Sequence, residues 1–147
     1  MAFNKVIAID TDNVRIEAAR ELVTKMNITN VELITVENGD ELSRFGEEFS
    51  CICAIEVLEH IPHAAIIIQE FQRLMSPEGY LVFSTLLETP YYKLFKFIKT
   101  GRTTEERHMV NYKEAMSLVE SNFAIIKSKT IMGLDIIELA KVRGGLP

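Results

Sequence analysis

The sequence predicts an α/β fold, a mostly parallel sheet that finishes in an antiparallel hairpin. Three observations carry this. The runs Lys5 to Asp10 (KVIAID) and Phe49 to Glu56 (FSCICAIE) are short, almost continuously apolar and end in an acid, the pattern of parallel strands covered on both faces. Segments with helical periodicity lie between such runs, and that alternation predicts β-α-β units with right-handed crossovers. Finally, Phe123 to Thr130 and Leu134 to Val142 flank Met132-Gly133, as two strands joined by a tight connection do.

Taken in order, Lys5 to Asp10 reads as an interior strand. Asp12 or Thr11 can cap a helix from about Asn13 to Met26, with Val14, Ala18, Leu22 and Met26 recurring at helical spacing and expected inside. Val31 to Glu37 (VELITVE) is a more polar second strand, nearer a sheet edge, and Asn38-Gly39 turns the chain. A short helical stretch from Asp40 to Phe45 leads to the buried third strand. Pro62 suits the first turn of a helix reaching about Met75, with Ile66, Ile67, Phe71 and Leu74 as its buried stripe. Ser76-Pro77-Glu78-Gly79 is a turn, Tyr80 to Thr85 a fourth strand, and Lys113 to Asn122 a helix with Ala115, Leu118 and Val119 inward.

The 147 residues, 48% hydrophobic and 25% charged, suit one compact domain spanning 1–147. With 16 Lys plus Arg against 21 Asp plus Glu, the net charge of -5 offers no field to hold a phosphate backbone, so nucleic acid is not an expected partner. The longest apolar run, Ala64 to Ile68, is far short of the roughly 20 residues that cross a bilayer, and the N-terminus has no signal pattern, so a cytoplasmic soluble protein is expected. Cys51 and Cys53 suit neither a disulfide framework nor a four-ligand zinc site. On a strand both point to one face, and buried free thiols with no metal are the expectation.

Ligands of open parallel sheets bind beyond the carboxyl ends of the strands, which places Asp10, Glu37, Glu56 and Thr85 where chemistry is expected. A fixed carboxylate such as Asp10 can accept two hydrogen bonds from a ribose diol, or it can simply cap the following helix.

The combination is more specific than any single acid. Asp10-Thr11-Asp12 with Ile16-Glu17-Ala18-Ala19-Arg20, then Phe49-Ser50 leading to Glu56-Val57-Leu58-Glu59-His60-Ile61, then Leu74 to Val82 (LMSPEGYLV) closely resembles class I S-adenosylmethionine-dependent methyltransferases. The similarity runs from about Lys5 to Val142 and is nearest the small-molecule branch that includes quinone-biosynthesis O-methyltransferases. It implies a Rossmann-like methyltransferase fold, S-adenosylmethionine as cofactor and a small organic acceptor. It also implies cofactor-binding roles for Asp10 at the ribose, Thr11 and Asp12 beside the adenosine, Glu37 and Asn38 (with Asp40 as competing register) at the adenine, and Glu56 beside the methionine moiety. His60 lies at the family's recurrent histidine, and His108, in Glu105 to Tyr112, resembles its substrate-side histidine element; these two are the candidate catalytic residues. Ser50 stands where an Asp is usual, and Glu78 where a Gly is usual.

The larger departure is an absence. The family's sheet starts with a strand ending in an acid and a Gly-rich loop, whereas none of the seven glycines here forms a G-x-G pair. The chain therefore reads as the second strand onward of that fold, N-terminally incomplete. In the family's strand order, this leaves the strands of Lys5 to Asp10 and Phe49 to Glu56 with unpaired inner edges. A truncated gene, direct pairing of the two strands, or a strand supplied by a homo-oligomer or partner chain would each repair this. Weak cofactor binding is the expected consequence, and a non-catalytic remnant or subunit that binds a partner chain is the alternative reading. A nicotinamide-dependent oxidoreductase shares the strand-end acid but not the Glu56 to His60 run. Tyr91 to Lys99 (YYKLFKFIK) could contact a membrane, although an ordinary core-facing helix is preferred.

Overall fold

The computed structural model describes residues 3–37, 39–46, 49–86, 110–131 and 135–142. The chain divides into two compact units, Met1–Leu42 and Ser43–Pro147.

In the first unit, strand β1 (Val6–Asp10) pairs in parallel with β2 (Val31–Thr35), from Val6 opposite Val31 to Asp10 opposite Thr35. Helix α1 (Asn13–Lys25) makes the crossover and packs on both strands. Asp12 caps α1, its side chain accepting from the backbone N–H of Val14 at 2.8 Å. The inward face differs from the expected one. Ile16 is buried and Ala19 and Val23 are half-buried, whereas Val14 is 76% and Met26 60% exposed, with Ala18 and Leu22 also outside. The helix thus carries two apolar stripes, and the sheet takes the one at Ile16, Ala19 and Val23. Among the described residues strand β1 is an edge strand and not the interior one expected: β2 is its partner there, none of its residues is buried and Ile9 is exposed.

The short helical stretch expected at Asp40 to Phe45 is present as a 3-10 turn, Gly39–Arg44. The second unit is a four-stranded sheet in the order β3 (Phe49–Ile55), β4 (Met75–Leu86), β6 (Asp135–Val142), β5 (Phe123–Ile131). β3 runs parallel to β4, while β6 is antiparallel to both β4 and β5, so the final hairpin is present with its second strand inserted beside β4. Helices α2 (Ala64–Leu74) and α3 (Tyr112–Asn122) pack on each other and on β4. Ala54, Leu58, Ile68, Leu81, Phe83, Val119, Phe123 and Ala140 are essentially inaccessible and form this unit's core. On α2 the buried stripe is Ala64, Ile67, Ile68, Phe71 and Leu74; Ile66, expected inside, is exposed. Asn111 starts α3 with a reciprocal capping box, its side chain bonded to the Glu114 N–H at 3.1 Å and Glu114 returning to the Asn111 N–H at 3.0 Å.

β4 begins earlier than Tyr80 because Met75 already pairs with Phe49; Ser76 to Gly79, expected as a turn, lie inside the strand as the irregularity before pairing resumes at Cys51 opposite Tyr80. Gly79 is required there. A Cβ at that position would sit 2.9 Å from the carbonyl oxygens of Phe49 and Ser76 and overlap Cγ of Met75. β3 ends the four-stranded sheet, so its outer edge has no ladder partner among the described residues. Cys51 is half-buried and Cys53 exposed, against the expectation that both are buried, because their side of β3 is the less covered one.

Candidate functional site

The carboxyl end of β1 is a compact carboxylate cluster. One Asp10 oxygen, Oδ1, accepts from the Asp12 N–H at 2.9 Å, a local turn that fixes the carboxylate, and Oδ2 lies 3.8 Å from the Arg15 guanidinium. Asp12 is committed to helix capping and to Arg15 at 3.5 Å. Thr11, between them, is exposed. Thr35, at the end of β2, donates its hydroxyl to the Asn13 side chain at 2.9 Å, tying the start of α1 to the adjacent strand end. Glu37 follows, exposed, and its backbone N–H bonds the Glu41 carboxylate at 2.5 Å. Asn38 lies outside the described residues, and Asp40 lies in the 3-10 turn. This unit thus assembles Asp10, Thr11, Asp12 and Glu37 at one end of its two-stranded sheet.

In the second unit, described by itself, the strand end of interest is that of β3. Glu56 has a positive φ of 52°, an uncommon conformation for a residue with a Cβ, held by its N–H bonding both the Ser84 carbonyl at 3.3 Å and the Ser84 hydroxyl at 3.1 Å. That reversal turns the chain out of the sheet into a 3-10 turn, Leu58–His60, in which Leu58 is buried and His60 is exposed. His63 also has a positive φ, 70°, and precedes α2. His108 and the Tyr91 to Lys99 run lie outside the described residues.

Two polar residues stand out here: Thr85, at a strand end where chemistry is expected, and Glu59, to which the sequence assigns no role of its own. Glu59 is 4% exposed and Thr85 2%, and neither Glu59 Oε2 nor Thr85 Oγ1 has a hydrogen-bond partner among the described residues. Unmet buried polar atoms are costly, and they mark places built for a polar ligand or a further protein group. The available signal was position, since both follow apolar strands at their carboxyl ends. No group of three or more His, Cys, Asp or Glu side chains suited to a metal ion occurs among the described residues.

Known proteins share this architecture. A family model described as a methyltransferase domain matches residues 2–121. The ubiquinone biosynthesis O-methyltransferase of Acinetobacter baylyi is 27% identical over 93 residues, which is 63% of this chain and 39% of that protein; its counterpart from Alkalilimnicola ehrlichii is 32% identical over 96 residues, 64% and 38% respectively. The chain thus spans about two-fifths of the length of these curated relatives. Among solved structures, a SAM-dependent methyltransferase from Aquifex aeolicus superposes with a TM-score of 0.68 at 16% identity, covering 94% of this chain and 69% of that one. Magnesium protoporphyrin IX methyltransferase from Synechocystis, solved with bound SAH, gives 0.66 at 17% identity, covering 94% and 64%. These likenesses establish a Rossmann-like α/β methyltransferase fold, and with the family match over most of its length this chain belongs to the methyltransferase domain family.

Proposed function

We propose that the chain is part of an enzyme that transfers a methyl group from S-adenosylmethionine to a small organic acceptor, in the cytoplasm. The observation that carries this reading is the Asp10 carboxylate, anchored through Oδ1 at the end of a parallel strand with Oδ2 3.8 Å from the Arg15 guanidinium. A preorganised carboxylate of this kind suits a vicinal diol, because it accepts two hydrogen bonds without having to reorder. Asp10 would hold the ribose, with Thr11, Asp12, Glu37 and Asn38 on the adenosine side and Glu56 beside the methionine portion. The cofactor supplies an already activated methyl group, so the demand on the protein is alignment. The left-handed turn at Glu56, locked to Ser84, fixes the direction of the backbone at the strand end. Glu59 Oε2 and Thr85 Oγ1 offer a buried acceptor and a hydroxyl for a polar ligand. His60 and His108 are the candidates for moving an acceptor proton; the small-molecule acceptor is the expected partner.

None of the seven glycines supplies a G-x-G loop, so the chain of 147 residues binds the cofactor weakly by itself. Calorimetric titration with S-adenosylmethionine should give a dissociation constant weaker than about 100 μM, where binding is worth under about 5.5 kcal/mol, and Asp10→Asn should weaken it further. A low-micromolar constant would sink the expectation of weak binding, and a constant untouched by Asp10→Asn would sink the placing of Asp10 at the ribose.

A second reading, a non-catalytic subunit that binds a partner chain, rests on the outer edge of β3, which has no ladder partner among the described residues. Light scattering of the purified chain separates the two: a stable oligomer without methyl transfer supports the subunit, and a monomer that turns over supports the enzyme.

A further inference from the structure

The less covered side of β3 holds a feature that methyl transfer does not use. Cys51 and Cys53 alternate along the strand and so stand on one side of it, with their Sγ atoms 3.9 Å apart. Cys53 is exposed and Cys51 half-buried. Their parallel neighbours on β4 are Tyr80, whose ring lies 4.8 Å from the Lys141 ammonium, and Val82. We propose that this pair is a chelating dithiol for one soft monovalent cation of the Cu(I) class, each thiol releasing its proton as its sulfur donates an electron pair to the ion.

The spacing suits a single bridging ion. Two metal–thiolate bonds of about 2.3 Å spanning this gap enclose an angle of about 116°. That is the geometry of a low-coordinate ion, open on its third side to water or a small thiol. Zinc would look for four protein ligands, and no group of three or more suitable side chains exists among the described residues. Thiolate sulfur in a two-ligand site favours Cu(I) over harder ions.

The competing fate of the pair is a disulfide, and the strand opposes it. Two residues along an extended strand place the Cα atoms about 6.6 to 6.8 Å apart, at the outer limit for a disulfide, and the sulfurs must close to about 2.05 Å. Both thiols must give up their protons for their sulfurs to hold the ion, so metal capture is proton-coupled.

The test is an anaerobic titration of the full reduced chain with Cu(I) against a chromophoric Cu(I) chelator. One ion per chain is expected, held more tightly as pH rises, and weakened at least about 100-fold in Cys53→Ser through loss of the chelate. Cys53 is exposed, so this variant should keep the wild-type far-ultraviolet circular dichroism; Cys51→Ser provides the second arm with the same expected loss. Two ions per chain, wild-type affinity in Cys53→Ser, or tighter retention of Zn(II) than of Cu(I) would each overturn the proposal.

Discussion

Replacing Ile16 with alanine should open the first unit. Ile16 is 3% exposed and is the one buried residue of α1. Besides it, the buried apolar side chains among the described residues of Met1–Leu42 are Val36 and Leu42. A unit of this size has little core to spare, and removing a buried Ile side chain costs about 2 to 5 kcal/mol. At about 1.4 kcal/mol per factor of ten, the lower bound corresponds to at least about 30-fold faster amide exchange, provided exchange follows the opening equilibrium. Hydrogen exchange read by mass spectrometry measures this directly on peptides covering β1, α1 and β2. The peptides of β4 and β6 serve as the internal reference, since Leu81, Phe83 and Ala140 make their core. Unchanged exchange in β1 and β2 would refute the claim that Ile16 pins α1 to its sheet. An equal rise in β4 and β6 would refute its confinement to the first unit.

Asn111→Ala removes the side-chain acceptor of the Glu114 N–H, leaving the backbone half of the capping box, and should lower stability by about 1 kcal/mol, seen as a drop in thermal midpoint. Gly79→Ala forces a methyl against Met75 and two carbonyl oxygens and should cost about 1 to 3 kcal/mol by denaturant titration, with expression lowered. Ser84→Ala frees one of the two acceptors that hold the Glu56 N–H and should cost about 1 kcal/mol, with rescue by Thr if the hydroxyl matters. At pH 8, Cys51 should react with iodoacetamide about tenfold more slowly than a free thiol, because the fall in thiolate fraction outweighs the rise in nucleophilicity. The thiol's folded pKa lies above its ordinary value of 9.0, so the native state favours the protonated form. The stability this confers is complete below about pH 9 and disappears as pH rises through about 11; a Cys51→Ser chain should lack that alkaline loss.

The alternation of strands and helices was legible because apolar runs and helical periodicity are local signals, and the ends of α1, β3, α3 and the hairpin strands fall within a residue or two of their sequence limits. The face that α1 buries was not. Val14, Ala18, Leu22 and Met26 form as regular a stripe as Ile16, Ala19 and Val23, and periodicity cannot choose between two apolar faces; packing on β1 and β2 does. Along β3, alternation showed that the cysteines share a side, but not that this side is the less covered one. The Asp10 turn and the Asp12 cap follow from short-range chemistry and could be anticipated from residue type. The positive φ of Glu56 could not, because a glutamate gives no hint of that conformation and the Ser84 contacts that impose it come from 28 residues away. Burial of Glu59 was hidden for a similar reason, since charged residues are ordinarily exposed.

The strand order of the second unit imposes a sequence in time. β6, the last described strand to be synthesised, lies between β4 and β5, with Leu81 opposite Ala140 and Ile125 on its other side. Until it arrives, β3 and β4 can pair, but β5 has nothing to join, and the far edge of β4 stays open with Leu81 and Phe83 still lacking their final partner. Such distant pairing is slow to find. The nascent chain therefore passes through a period with both edges of a two-stranded apolar sheet exposed, and the yield of folded protein depends on how quickly that last strand is delivered.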